Sequence, residues 1–368
     1  MDNLSRGSIA AVLCATLLCA PGAPAQTKVR NVVLVTMDGV RTEEIFGGLD
    51  LAVLESTLDR GADLEAEPAY EKYWAPTPEE RRAKLMPFFW QTLMQQHGSI
   101  AGNRARGSRV RISNRHGFSY PGYSEILVGE AHDDIDSNDK KFYPYPTVLE
   151  FLKRALGPDD TAVAAFGSWE TFNWIVQHKP RQLFVNAGYV DYDAPGPVID
   201  TLNTLQHEAR GDADDDRLDA FTFRFAMAHL RRHRPRVLYV AFSETDVDAH
   251  QGRYSRLLDT LARQDGYLRE LWRFLESDPH YRGQTALLIT TDHGRGHSIK
   301  DWAEHGKIDG AQDVWQAYVV PDVPLRGEWS QAETVYANQL AATITQLLGL
   351  EYRARYPGAG KPIARLFR

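Results

Sequence analysis

Cysteine is almost missing from this 368-residue chain: the only two, Cys14 and Cys19, fall within the first 26 residues. Disulfide scaffolding and thiol nucleophiles are therefore excluded for everything after that segment. An excess of positive charge is missing too. Lys and Arg number 42 against 49 Asp and Glu, a net charge of −7. That balance argues against a nucleic-acid partner, whose first footprint is basic. Beyond the N-terminal segment no stretch holds the roughly 18 uncharged apolar residues of a membrane span. Glycine (28) and proline (19) are too sparse for a collagenous or linker chain. No internal repeat or low-complexity tract occurs. With 43% hydrophobic residues the chain can bury a core, which excludes disorder as the dominant state.

Residues 1–26 read as a secretory signal peptide. Arg6 precedes the apolar run Ile9–Ala20, and Ala23-Pro24-Ala25 supplies an Ala-x-Ala cleavage pattern, so cleavage is expected near Ala25 or Gln26. The run is shorter than the roughly 20 residues a span needs. An uncleaved anchor is the second reading. Leu13 and Leu18 before the cysteines speak against a lipoprotein. The pattern predicts a periplasmic or secreted protein with no membrane contact after cleavage. Residues 27–368 then form a single catalytic domain.

Four apolar runs are short and rich in β-branched residues: Asn31–Val35, Val237–Phe242, Ala286–Ile289 and Trp315–Val320, with Thr161–Phe166 a weaker fifth. Their unbroken apolarity predicts strands covered on both faces, as in a parallel sheet between helices. Helical periodicity lies between them, at Ser255–Ser277, Leu218–Arg232 and Ala332–Leu348. The pattern predicts an α/β fold, a three-layer αβα sandwich with a mostly parallel central sheet. Residues 167–216 are less regular and read as an insertion or cap over the sheet edge or active site. The acidic run Asp212–Asp216 fits no ligand spacing and reads as a solvated loop.

Three of the strands run straight into an aspartate. Asn31–Val35 leads to Thr36-Met37-Asp38-Gly39, Val237–Phe242 to Asp246-x-x-x-His250, and Ala286–Ile289 to Asp292-His293-Gly294. Ligands of open α/β sheets bind outside the carboxyl ends of the strands. If the three are parallel neighbours, Asp38, Asp246 and Asp292 share one crevice, and crowded carboxylates call for bound cations. With His250 and His293 the donor set suits zinc, manganese and iron being alternatives. One aspartate after a strand is commonly a cap or turn residue. The coincidence of three such segments is what points to a metal site.

This motif order resembles the alkaline phosphatase superfamily, which includes nucleotide pyrophosphatases/phosphodiesterases, sulfatases and cofactor-independent phosphoglycerate mutases. The likeness spans Asp38 to His305. Its sharpest part is Ser119-Tyr120-Pro121-Gly122-Tyr123-Ser124-Glu125-Ile126-Leu127-Val128-Gly129, similar to the phosphodiesterase pattern Thr-Phe-Pro-Asn-His-Tyr-x-Leu-x-x-Gly. The register puts Ser119 at the nucleophile position, where Pro121 suits a first helical turn and a helix N-terminus attracts phosphate. Ser124 is the rival serine. Gly122 departs from the pattern's Asn, so that contact is missing or comes from Asn114 or Asn138. Tyr123 stands where sulfatases carry Arg, which counts against sulfatase maturation.

The resemblance implies an alkaline-phosphatase-like fold and two divalent metal ions, zinc preferred. One would be held by Asp246, His250 and His305, with His297 competing for the last place. The other would be held by Asp38, Asp292, His293 and the Ser119 oxygen. Asp248 fits neither set, and His97 and His229 read as surface or packing residues. Two such ions clamp the attacking and leaving oxygens of an in-line displacement. Candidate phosphate contacts are Asn114 and Arg115, with the Tyr120 amide, Arg41 and Lys300. The implied function is an exported metal-dependent hydrolase of phosphoric esters, acting on a small molecule through Ser119. Monoester and diester remain open, and the aromatic stretches Tyr70–Trp90 and Trp169–Trp174 are candidates for a diester pocket. Alternatives are a sulfatase-like enzyme, a mutase-like phosphotransferase, or a non-catalytic metal- or phosphate-binding protein.

Overall fold

The computed structural model describes residues 28–367 apart from 158 and 331. The signal peptide expected at 1–26, with both cysteines, lies outside the described residues. The core is an eight-stranded sheet. In spatial order its strands are Gly327–Glu328, Ser99–Ala101, Gln316–Val319, Thr285–Thr290, Asn31–Met37, Val237–Phe242, Val163–Gly167 and Phe184–Ala187. All run one way except Gln316–Val319, which is antiparallel to both neighbours. Helices cover both faces. Alternate residues of each central strand feed two separate cores: Val33, Val35 and Met37 one, Val32 and Leu34 the other. That division is why these strands read as continuous apolar runs.

One expectation changes. The Ala332–Leu348 stretch is α-helical only from Leu340 to Leu347, after a 3-10 turn at Ala337–Gln339. Its start, Thr334–Tyr336, is a strand paired with Arg109–Arg111 in a separate three-stranded sheet completed by Asp313–Val314. Long-range pairing overrides the local helical period there. Segment 167–216 contributes the edge strand Phe184–Ala187 and the helix Pro197–Glu208. Among the described residues no helix is long and apolar enough to cross a membrane.

His229 belongs to the packing. It lies against Phe166 and Phe184, with Nδ1 3.1 Å from the Tyr192 hydroxyl. Burial first, then His233, pushes it down to about 4. Its folded value lies below the ordinary 6.5, so its contribution to stability is complete above about 6.5 and is lost as pH falls toward about 4. We expect the thermal midpoint of His229→Phe to drop less than the wild type's across that window. Parallel pH profiles for the two proteins would refute this.

Candidate active site

The three central strands end level, because Thr36 pairs with Ala241 on one side and Thr290 on the other. Asp38, the helix Glu244–His250 and Asp292-His293 therefore leave from one sheet edge. Gly39 makes the first turn possible. It has φ +61°, and a Cβ on it would stand 2.7 Å from Asp246 Oδ1 and 2.8 Å from Arg295 Nε. Its amide donates to Asp292 Oδ1 at 3.1 Å.

The structure brings Asp38, Asp292, His293 and Ser119 together. His293 is buried, and its Nδ1 lies 2.9 Å from the Gly294 carbonyl oxygen. That bond places the ring proton on Nδ1 and leaves a lone pair on Nε2. Nε2 is 3.4 Å from Asp38 Oδ1, from Asp292 Oδ2 and from Ser119 Oγ. These two carboxylate oxygens find no hydrogen-bond donor among the described residues. Tyr123 donates to the other Asp38 oxygen at 2.9 Å, which turns Oδ1 toward the cluster. Burial, then the charge of Asp246, pushes Asp38 well above the usual carboxylate range. Burial, then the charge of Asp38, does the same to Asp292. Acceptors converging away from water are costly without a cation between them. The orphaned oxygens and the Nε2 lone pair fit a divalent metal ion.

A second group adjoins the first. His250 Nε2 is 3.1 Å from Asp246 Oδ2 and 2.9 Å from His305 Nε2. Within each group the three Asp and His residues offer ligand atoms lying within 4.8 Å of one another. Asp246 Oδ1 is 3.7 Å from His293 Nε2, which links the two groups. Burial works to raise the Asp246 carboxyl, but Arg295, His250 and His293 outweigh it and hold it far below the usual range. Arg295 is buried against Asp246 and donates Nε to the Gly39 carbonyl at 3.2 Å. Sequence reasoning missed it, although it directly follows Asp292-His293-Gly294. His297 is elsewhere, with Nδ1 2.6 Å from Glu43 and Nε2 2.7 Å from Arg104.

Ser119 is the first residue of the helix Ser119–Val128, which is buried throughout. Gly122 fits where the pattern has Asn because a Cβ there would lie 2.4 Å from the Asp292 carbonyl oxygen. Asn138 stands beside the serine instead. Its Oδ1 accepts from the Tyr120 amide at 3.0 Å, which uses up that donor and orients Nδ2 away from it. Asn114 and Arg115 are not brought to the site. Asn114 donates to Glu125 at 2.9 Å and accepts from the His116 and Gly117 amides. Arg115 is exposed and pairs with Asp133 at 3.3 Å. Arg41 is taken by Glu44 and the Gly296 carbonyl, and Lys300 is exposed. Ser124 lies inside the helix, and Asp248 is held by Thr260 and Arg256.

A cleft of about 310 Å³ opens over the cluster, lined by Asp38, Ser119, Asn138, Trp169, Ala213, Asp216, Ser243, Asp246, Val247, His250 and Gln251. A larger cavity, about 930 Å³ around Trp74, Arg81 and His297, contains neither the serine nor either group. Asp216 corrects the reading of 212–216 as a solvated loop. Its Oδ1 accepts from Ser243 Oγ at 2.6 Å. Burial, then Asp215, Asp246 and Asp219, pushes it up to about 8 against the pull of Ser243.

The fold is shared with solved structures of low sequence identity. Alkaline phosphatase PafA is 10% identical with a TM-score of 0.60, over 94% of this chain and 100% of that one. The phosphonate monoester hydrolase SpPMH from Silicibacter pomeroyi is 12% identical with a TM-score of 0.55, over 91% and 76%. A protein of the alkaline phosphatase superfamily from Vibrio parahaemolyticus is 12% identical with a TM-score of 0.50, over 93% and 71%. No curated protein matches the sequence. Residues 72–347, three quarters of the chain, match the family described as type I phosphodiesterase / nucleotide pyrophosphatase. The protein therefore belongs to that family of phosphoester hydrolases, built on the alkaline phosphatase fold.

Proposed function

We propose that the protein is an exported phosphodiesterase that uses Ser119 as nucleophile and holds two divalent ions, zinc by their donor set. Asp38, Asp292, His293 and the Ser119 oxygen would hold one, and Asp246, His250 and His305 the other. The observation that carries this reading is the convergence of the orphaned Asp38 and Asp292 oxygens on His293 Nε2, itself 3.4 Å from Ser119 Oγ, at the strand ends. When bound, the ions supply Lewis-acid charge that activates oxygen nucleophiles and offsets phosphoryl charge. Ser119 Oγ attacks phosphorus, so that an Oγ–P bond forms as the P–O bond to the leaving alcohol breaks. Water then cleaves the Oγ–P bond, freeing the serine and releasing a phosphate monoester. Asn138 Nδ2 donates to a non-bridging oxygen, the part played by the Asn that Gly122 replaces. Tyr123 and Arg295 fix the Asp38 and Asp246 carboxylates. The leader pattern of residues 1–26 supports export.

A diester suits this cleft better than a monoester. Among the described residues no lysine or arginine lines it, so the second charge of a monoester meets no cationic side chain there. The test is kcat/KM of the zinc-loaded protein on an aryl phosphate monoester and the matching diester. The diester is expected to lead by about tenfold to a hundredfold, the worth of a charge-assisted contact. A monoester preference overturns the diester assignment, and no turnover of either overturns the phosphodiesterase reading.

A further inference from the structure

One wall of the cleft takes no part in holding the metal groups or the serine. Residues 168–170 and 215–217 run antiparallel, with Trp169 directly opposite Asp216. The Glu170 amide donates to the Asp215 carbonyl at 2.9 Å, and the Arg217 amide to that of Ser168 at 3.1 Å. Side chains opposite each other in an antiparallel pair share a face, and both Trp169 and Asp216 line the cleft that contains Ser119. The wall is anchored from behind. Buried Arg217 donates to Asn186 Oδ1 at 2.7 Å and to Thr222 at 2.8 Å. Trp169 Nε1 donates to Asp215 at 3.1 Å. Ser243 fixes one Asp216 oxygen, and no donor among the described residues reaches the other.

The charge this wall turns toward the cleft is the Asp216 carboxylate, and its cation Arg217 is bound from behind. Lys140, beside the wall, is held by Glu170 at 2.6 Å and Asp215 at 3.3 Å. An aromatic face attracts a cation through its quadrupole, a carboxylate through its charge, and both repel an anion. We infer that Trp169 and Asp216 recognise a positively charged substituent, an ammonium or quaternary ammonium group on one of the two alcohols of the ester. The inference rests on the phosphodiesterase reading and narrows its substrate class. It disfavours esters that carry a carboxylate or further phosphate on this side.

The test uses two aryl diesters with one leaving group, p-nitrophenyl phosphorylcholine and p-nitrophenyl ethyl phosphate. kcat/KM is measured for the zinc-loaded protein and for Asp216→Asn and Trp169→Ala, and choline binding is followed by calorimetry. The wild type is expected to favour the choline ester by about tenfold or more, and the ratio to fall toward one in both variants. Equal turnover of the two esters by the wild type, or a ratio that Asp216→Asn leaves unchanged, overturns the inference. Turnover of neither ester overturns the phosphodiesterase reading instead. Choline binding then decides the recognition site alone: Asp216-dependent binding supports it, and no such binding overturns it.

Discussion

Ser119→Ala is expected to lower kcat/KM on the diester by about 10⁴-fold or more, the scale on which removing a covalent nucleophile acts. The size follows from position. Ser119 Oγ is the hydroxyl that both borders the buried acceptor cluster, 3.4 Å from His293 Nε2, and lines the cleft, on the first residue of a helix whose N-terminus favours phosphate. Without it, water must attack directly with no side-chain oxygen to take the phosphoryl group. Ser119→Thr keeps the hydroxyl and is expected to retain most of the activity. Ser124→Ala, inside the same helix, serves as the fold control. An alanine variant with near wild-type turnover at saturating zinc would sink the nucleophile assignment.

The parts of this site that could be read from sequence are those that short-range pattern encodes. The three central strands announce themselves because both faces are covered, and each aspartate follows the end of its strand within four residues. Strand direction is a different matter. Gln316–Val319 has the same apolar run as its neighbours and runs the other way. Thr334–Tyr336 looks helical because its partner, Arg109–Arg111, is more than two hundred residues distant. The same limit hid Asp216. Within the run Asp212–Asp216 it resembles any solvated carboxylate, and only pairing with Trp169 and Ser243 turns it into the cleft. Asn114 failed as a phosphate contact because Glu125, eleven residues on, claims its side chain. His305 and His297 are separable in sequence only by spacing and by the apolar run that follows His305. In space Glu43 and Arg104 take His297 away from the cluster.

Asp292→Asn and Asp246→Asn are expected to weaken zinc binding alike and to shift metal-free stability in opposite directions. Asp292 is buried beside Asp38, and its carboxyl is held well above the usual range. Such a group contributes stability below its unfolded value and loses it as pH rises through the folded one, so at neutral pH it burdens the metal-free fold. Asparagine keeps the acceptor for the Gly39 amide. Its Nδ2 then faces the Asp38 oxygen that had no donor, and lies near His293 Nε2, which the Ser119 hydroxyl already reaches. The metal-free midpoint should rise. Asp246 is the reverse case, because its partner is the buried Arg295 guanidinium. Asparagine there strands a buried cation, a loss of about 3–5 kcal/mol when one partner of such a pair is removed, so the metal-free midpoint should fall. In the wild type, zinc at a thousand times its Kd adds about 4 kcal/mol by mass action, readable as a midpoint rise of roughly 5 °C or more. Each variant should lose a large part of that rise. A zinc-induced shift of full size in both would remove the metal-centre reading. A metal-free midpoint that drops as far in Asp292→Asn as in Asp246→Asn would refute the electrostatic account of how these buried carboxylates are kept, since the two differ chiefly in whether a cationic side chain already stands beside them.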